Sequence, residues 1–236
     1  HAADAKPPER LKLHKQVVKF MNTSRVKQQE RVLTSSLLLL GHIGRPEAAA
    51  ILLKYSTPKT TLYVRRHALI ALKGVEFAGK TGSSVLKKIF PFLQETEEDV
   101  VRHTIDIIQR MPSPSIPPAQ WRKLLGNKHG SARAFAARML SGADTADNNS
   151  LLIDLLGHED NELREIAGNA LAAHKKATPL LLKALASEDN VNIAWSLAKI
   201  LRPHGEAIDK KTVKKFAGMA AKEMLAGKPR HEPLLY

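Results

Sequence analysis

The chain repeats a short phrase, and this repetition limits its fold more than any other property of the sequence. The phrase is an apolar residue, a basic residue, two variable positions and a small or apolar residue, with clear copies at 64–68, 101–105, 132–136 and 163–167. A weaker copy at 191–195 has Asn192 in the basic position, and a further copy begins at Arg31. The basic positions are about 32 residues apart on average, a period typical of helical-repeat solenoids.

Each period contains two stretches with helical patterning. The first stretch carries the phrase, and its apolar residues recur at i, i+3, i+4 and i+7, as Leu163, Ile166, Ala167 and Ala170 do. Acidic or amide residues precede the later first stretches, where a helix N-terminus prefers caps and negative charge. The second stretches span 46–55, 83–93, 117–125, 149–156, 178–186 and 210–226, and Gly or Pro separates all but 178–186 from the first stretch before them. The pattern predicts an all-α protein of about six stacked helix pairs around a continuous aliphatic core.

Two phrases, Leu163–Leu171 and Asp99–Arg102, resemble the HEAT-repeat family in the short form often found in bacteria. The resemblance covers residues 25–227 and is strongest from 60 to 201. It implies a right-handed α-solenoid, with 1–24 as an N-terminal linker and leading helix and 228–236 as a tail or domain boundary. In the family the equivalent Arg braces adjacent repeats through backbone or carboxylate oxygens, which implies a structural ladder of Arg31, Arg65, Arg102, Arg133 and Arg164. Two departures, a Pro-rich connector at 111–118 and a long loop at 74–82, could bend the superhelix.

The charge of the chain is positive but uneven. Lys and Arg number 37 against 23 Asp and Glu, a formal net charge of +14, whereas residues 144–201 are net acidic. A second basic ladder follows apolar pairs in the second stretches, is interrupted by Asp154, and comprises Lys54, Lys87, Lys88, Arg122, Lys123, Lys183 and Lys214. Because second helices line the concave face in the HEAT-repeat family, the resemblance implies a basic stripe on the inner surface. Such a stripe would attract an acidic peptide or a phosphate backbone, although lysines also suit the solvated face of amphipathic helices.

One string matches a phosphate-binding pattern. Residues 74–81 satisfy G-x-x-x-x-G-K-[ST] through Gly74, Gly79, Lys80 and Thr81. Nucleotide binding by this pattern requires a buried parallel strand before the loop, whereas residues 64–73 carry the helical phrase. We therefore interpret the match as fortuitous. Anion binding by the Gly-rich loop, without hydrolysis, is an intermediate alternative.

Few other residues are candidates for chemistry. The chain has no Cys, which excludes thiolate metal sites and a cysteine nucleophile. Its ten His include no H-E-x-x-H motif, and two His-Glu dipeptides, at 158–159 and 231–232, are too few for the iron site of HEAT-like hydroxylases. HEAT-like DNA glycosylases use aromatic residues to hold a damaged nucleotide, and here only Trp121 and Trp195 are available. We predict no catalytic residue, no metal and no cofactor.

Together these observations predict a non-catalytic scaffold or adaptor that binds a protein or acidic peptide on the concave face. The alternatives are a module that binds the phosphate backbone of nucleic acid and, as a third hypothesis, an enzyme, either a DNA glycosylase or a nucleotide hydrolase. No apolar run, Leu37–Leu40 included, approaches the roughly 18–20 residues of a membrane span. Since the first residue is His1 rather than Met, we expect a processed chain or a fragment, and cytoplasmic and exported locations both stay open.

Overall fold

The structure is a computed structural model and describes residues 6–77, 79–112 and 116–225. Within these ranges all regular secondary structure is helical, which confirms the all-α prediction. The chain divides between Ile116 and Pro117 into two compact units, named unit 1 and unit 2 below. This boundary lies inside the Pro-rich connector at 111–118.

Unit 1 is built from short helices joined by tight turns. They are α1 (Pro7–Met21), α2 (Ser24–Gln28), α3 (Glu30–Ile43), α4 (Ala48–Tyr55), α5 (Leu62–Leu72), α6 (Gly79–Ile89) and α7 (Glu98–Gln109). A 3-10 helix, Phe90–Gln94, follows α6. It contains Pro91, which has no N–H to donate and so cannot continue the α-helical bonding pattern.

The helices of unit 1 form two layers. Helix α1 packs on α3, α3 on α5 and α5 on α7, whereas α4 packs on α6 and on α5. The core between them is aliphatic, and its fully buried side chains include Leu37, Leu40, Leu69, Leu72 and Ile108. Stacking of like helices on like helices is how repeats of this kind bury faces that no single pair can cover.

Glycine allows α3 and α5 to meet backbone to backbone. A Cβ atom on Gly41 would lie 2.6 Å from the Cα of Ala71, and one on Gly74 would lie 2.9 Å from the carbonyl carbon of Gly41. Both distances are far below van der Waals contact, so any side chain at either position would force the helices apart.

Unit 2 repeats the alternation of first and second helices. Its elements are α8 (Pro118–Leu124), α9 (Gly130–Ser141), α10 (Ala146–Leu155), α11 (Asn161–Ala173), α12 (Thr178–Ser187), α13 (Val191–Leu201), a 3-10 helix (Arg202–Ala207) and α14 (Lys210–Leu225). Helix α9 packs on α11, α11 on α13 and α10 on α12. The core of unit 2 includes Leu152, Leu163, Leu171, Leu181 and Leu197.

Two first helices of unit 2 begin at the predicted capping residues. The Oδ1 of Asp160 accepts a hydrogen bond from the N–H of residue 162 at 3.0 Å, and the Oδ1 of Asn190 accepts one from residue 192 at 3.0 Å. Each bond satisfies an N–H that has no partner inside the helix. Helix α7 differs, because Glu97 at its N-cap makes no side-chain capping bond.

Two predicted helix starts are wrong. Helix α6 begins at Gly79 rather than Ser83, so the loop after α5 is shorter than the predicted 74–82. Helix α10 begins at Ala146 rather than Asn149. The cause at α10 is Thr145, whose Oγ1 accepts a hydrogen bond from the N–H of residue 148 at 3.3 Å and caps the helix earlier.

Candidate functional site

All seven predicted stripe residues lie on second helices, which are α4, α6, α8, α10, α12 and α14, and all seven are exposed. Helix α4 carries Lys54, α6 carries Lys87 and Lys88, α8 carries Arg122 and Lys123, α12 carries Lys183, and α14 carries Lys214. Within the described parts of the chain, none of the seven takes part in an ion pair. Their charges are therefore open to a partner.

In unit 1 the packing of α4 on α6 brings Lys54 onto the same layer as Lys87 and Lys88. Both helices bury most of their aliphatic residues and leave the lysines in water; the buried residues are Ala48, Ala49, Leu52, Leu53, Val85, Leu86 and Ile89. Neither helix contains an Asp or a Glu. We call Lys54, Lys87 and Lys88 the basic patch of unit 1.

In unit 2 the second helices have mixed charge. Helix α12, with exposed Lys183, packs on α10, which carries exposed Asp154 at the position where the sequence predicts an interruption. Arg122, Lys123 and Lys214 lie on α8 and α14. The packed second helices α4 and α6 of unit 1 therefore carry positive charge without an acidic residue, whereas α10 and α12 of unit 2 combine both signs.

Several cations elsewhere in the described chain are used inside the fold. Arg and Lys of the first helices and of the loops pair with nearby carboxylates at hydrogen-bonding distance. These pairs are Arg10–Glu76, Arg45–Glu47, Arg65–Glu95, Arg66–Asp99, Lys73–Asp106, Arg133–Asp160 and Arg138–Glu162. The contrast separates structural cations from the basic patch.

Two members of the Arg ladder connect neighbouring repeats. Arg65 is 5% exposed; its Nε donates to the carbonyl of Ser56 at 2.8 Å and its Nη2 to Glu95 at 2.7 Å. Its guanidinium also lies 5.0 Å from the ring centroid of Phe92. Arg133 donates to the carbonyls of residues 127 and 128 and, at 3.0 Å, to Asp160.

The other ladder positions make different contacts. Arg102 is 62% exposed and pairs at 2.7 Å with Asp99 of its own helix, so it does not brace a neighbouring repeat within unit 1. Arg164 donates to the carbonyls of residues 158 and 159 in the loop before its own helix. Arg31 is exposed. Arg66, which the sequence prediction missed, joins α5 to Asp99 of α7 at 2.9 Å.

A small apolar pocket lies beside Lys54. Its volume is about 220 Å³, and it is lined by Val18, Met21, Asn22, Ala50, Ile51, Lys54 and Tyr55. The Nζ of Lys54 is 6.0 Å from the ring centroid of Tyr55. The sequence prediction missed this pocket, because its walls come from α1 and α4, which only the tertiary fold brings together. One end of the basic patch thus combines a cation with a cavity for an apolar group.

The phosphate-loop match is built from helical elements. Helix α5 precedes it where a nucleotide site needs a strand, and Gly79 to Thr81 form the first turn of α6. Residue 78 and the side chain of Lys80 lie outside the described part of the chain. The match therefore has a different context from a nucleotide-binding loop.

Both Trp residues pack against the protein. Trp121 is buried and meets Phe135 edge to face, with ring centroids 5.4 Å apart. Trp195 is partly buried, and the Nζ of Lys199 lies 5.5 Å from its ring centroid. Within the described residues, no three His, Asp or Glu side chains are grouped so that they could hold a metal ion. No helix in that part of the chain is long and apolar enough to cross a membrane.

Six described groups have pKa values shifted by their surroundings, and three of them lie at buried or repeat-bridging positions. Burial lowers the pKa of His14, whose Nδ1 has no hydrogen-bond partner in the described structure. Burial, and then the charges of Lys73 and Arg102, lower the pKa of His103. The hydrogen bond from Arg133 lowers the pKa of Asp160. None of these groups lies on the basic patch.

Comparison with known proteins identifies neighbours of low similarity. No family model and no curated protein matches the chain. Among solved structures, an engineered protein matches with 18% identity and a TM-score of 0.46, covering 82% of this chain and 96% of that one. Human deoxyhypusine hydroxylase, in complex with glycerol, matches with 15% identity and a TM-score of 0.33, covering 93% and 85%. The complex of CpcE and CpcF of phycocyanin lyase from Nostoc sp. PCC7120 matches with 13% identity and a TM-score of 0.33, covering 88% and 94%. These values are too low for an activity to be carried over.

Proposed function

We propose that this chain is a non-catalytic binding module of the HEAT-repeat type, whose second helices bind an acidic segment of a protein partner. One observation carries the proposal. Lys54, Lys87 and Lys88 are exposed and outside every ion pair of the described residues, on two packed helices without a single acidic residue, whereas Arg65 and Arg66 of the neighbouring α5 are paired with carboxylates. Unpaired charge of one sign on a packed layer attracts the opposite charge.

The energetics suit a shallow and distributed contact. An exposed ion pair contributes about 0.2–1 kcal/mol, so three lysines together add roughly 1–3 kcal/mol, up to about a hundredfold in affinity. Salt screens such contacts, because the Debye length falls to about 10 Å at 0.1 M ionic strength. Binding to the basic patch should therefore be measured at low salt.

The pocket beside Lys54 favours a peptide over a nucleic acid. A cavity of roughly 150 Å³ is enough to bind benzene, and this pocket measures about 220 Å³. It would accept an apolar side chain next to an acidic one, and a phosphate backbone has no such group to offer. The partner segment is thus acidic with at least one apolar anchor.

Fluorescence anisotropy tests the proposal directly. The probe is a labelled peptide of about 15 residues, mostly Glu, with one Leu near its centre. We expect the triple variant K54E/K87E/K88E to weaken binding at least about tenfold. The matched control is K128E/K175E/K176E, which makes the same charge change at three exposed loop lysines and should bind nearly as the parent does. Equal losses in both variants would mean that only net charge matters, and the proposal would be wrong.

A separate variant tests the pocket beside Lys54. Ala50 lines the pocket and is exposed, so Ala50→Trp fills the cavity from the surface. This change should abolish the preference for the Leu-containing peptide over an all-Glu peptide of equal length. A preference that survives Ala50→Trp would remove the pocket from the proposal.

Binding to a phosphate backbone is the second candidate, because the net charge of +14 attracts nucleic acid as well. Three contacts give a slope of about −2.7 in log K against log salt, or about a 40-fold loss between 50 and 200 mM salt. Mixed-sequence duplex DNA should show this slope if the candidate is right. Ala50→Trp should leave DNA binding unchanged, which separates the two candidates.

A further inference from the structure

The exposed large apolar side chains of the described chain are concentrated on one face. Seven such residues are exposed, and five of them lie on the first-helix layer of unit 1: Phe20 (50%), Leu38 (37%), Leu39 (38%), Tyr63 (45%) and Ile70 (39%). They belong to α1, α3 and α5, which pack side by side. Contiguous exposed apolar surface of this kind marks an interaction site.

Helix α3 carries more large apolar residues than its buried face requires. Its inner face buries Leu33, Leu37, Leu40 and Ile43. Since successive residues of an α-helix are about 100° apart, the run Leu37–Leu40 cannot face one side. Leu38 and Leu39 therefore face away from the core, at positions where the fold itself would be served by polar residues.

Two adjacent grooves run along this face. The groove between α1 and α3 measures about 390 Å³ and is lined by Gln16, Val17, Phe20, Val32, Ser35, Ser36 and Leu39. The groove between α3 and α5 measures about 470 Å³ and is lined by Leu38, Leu39, Gly41, His42, Ile70, Ala71 and Gly74. Leu39 lines both grooves. Gly41 and Gly74, which let the helices meet, also keep the floor of the second groove free of side chains.

The surroundings of the grooves are basic. Lys12 and Lys19 flank the groove residues of α1, and Arg31 precedes Leu38 by two helical turns on α3; all three are exposed and, among the described residues, outside every ion pair. Helices α1 and α3 each contain one acidic residue, in the first turn, and α5 contains none. The face would therefore repel a second copy of itself and attract an acidic partner.

The spacing of the grooves fits a helix. Grooves on either side of one helix are separated by about one interhelical distance, about 8–10 Å. In an α-helix, residues i and i+7 are about 10.5 Å apart along the axis, since each residue rises about 1.5 Å. A helix lying across α1, α3 and α5 would thus place two apolar side chains of one face in the two grooves.

We propose that the outer face of α1, α3 and α5 docks an amphipathic helix of a partner protein, with apolar residues at i and i+7 in the two grooves and Asp or Glu toward Lys12, Lys19 and Arg31. The spacing of these two shallow grooves favours a helix over a lipid surface, because docking to a lipid surface requires no such spacing. This docking surface is separate from the basic patch and does not depend on it.

A designed peptide tests the docking surface. The probe is a labelled peptide of about 18 residues with Leu at i, i+3, i+4 and i+7 spacing and Glu elsewhere, compared with a scrambled peptide of the same composition. We expect the amphipathic peptide to bind at least about tenfold more tightly than the scrambled one. Leu39→Gln, which alters both grooves, should remove this difference, whereas Val213→Gln, at a residue 54% exposed on α14, should preserve it.

Other outcomes would overturn the proposal. Equal binding of both peptides would show that only charge is recognised. If the protein sediments with phosphatidylserine vesicles, and Leu39→Gln abolishes this sedimentation without changing peptide binding, the face is a lipid surface instead. A dimer that Leu39→Gln converts to a monomer would identify a self-interface. The variant K54E/K87E/K88E should leave the preference for the amphipathic peptide intact, so this proposal and the proposed function can fail separately.

Discussion

Arg65 offers the sharpest test of how unit 1 is held together. We consider Arg65→Met, which keeps most of the aliphatic stem but removes every donor. The carbonyl of Ser56, a residue with no exposed surface, then loses the bond from Nε, and a buried acceptor left without its partner costs about 1–3 kcal/mol. The ion pair with the partly exposed Glu95 adds up to about 1 kcal/mol, and the contact with Phe92 about 0.5–1 kcal/mol.

The repeat itself supplies the control. Arg102 occupies the same position of the phrase one repeat later, but it is 62% exposed and pairs with Asp99 of its own helix. Such an i, i+3 pair contributes about 0.2–0.5 kcal/mol. We therefore expect Arg65→Met to lower the free energy of unfolding by about 2–4 kcal/mol and Arg102→Met by about 0.5 kcal/mol or less.

Urea unfolding, followed by circular dichroism, measures both effects. With a slope of about 2–3 kcal/mol per molar urea, the midpoint should fall by about 1 M for Arg65→Met and by less than about 0.3 M for Arg102→Met. Equal shifts for the two variants would refute the reasoning, because the phrase position alone would then set the cost. An unchanged midpoint for Arg65→Met would refute it as well.

Two further predictions concern unit 1. Gly41→Ala should force α3 and α5 apart, lower the free energy of unfolding by about 1–3 kcal/mol and lower the melting temperature. The control is Gly218→Ala on α14, where a Cβ meets nothing within 4 Å, and it should not destabilise the protein. An unchanged melting temperature for Gly41→Ala would contradict the close approach of the two helices. Burial lowers the pKa of His14 below 6.5, so the unfolded chain binds a proton at a higher pH than the folded chain does. The contribution of His14 to stability is therefore present above pH 6.5 and is lost as the pH falls through the pKa of the folded state. His14→Gln should flatten the dependence of the urea midpoint between pH 7 and pH 5, and a parallel profile would exclude His14 as its source.

The sequence predicts the fold class because the repeat phrase reports the buried face of each first helix. It does not predict which Arg of the ladder braces a neighbouring repeat, and the structure shows part of the reason. Asp99 precedes Arg102 by three residues, where helix geometry brings the two together. Arg65 has Leu62 and Thr61 at the corresponding positions and must reach Glu95.

The helix starts and the grooves escaped prediction for another reason. Thr145 is an ordinary residue until its hydroxyl caps α10, and the pocket beside Lys54 exists only because α1 and α4 come together. Leu38 and Leu39 read as core residues within an apolar run. Their exposure follows from the direction of α3, which the positions of α1 and α5 determine.

The distribution of acidic residues in unit 1 connects its stability to its proposed function. Every Asp and Glu between residues 6 and 116 lies on a first helix, on α1 or in a loop. Five of them pair with cations of those same elements, namely Glu47, Glu76, Glu95, Asp99 and Asp106. Glu30 instead accepts a hydrogen bond from the hydroxyl of Thr61. Folding therefore uses these five carboxylates on the first-helix side and leaves the lysines of α4 and α6 without a carboxylate on their own helices. Like charges on packed helices repel each other and do not stabilise the fold. Under the proposed function, these lysines offer the acidic segment of a partner a layer free of competing carboxylates.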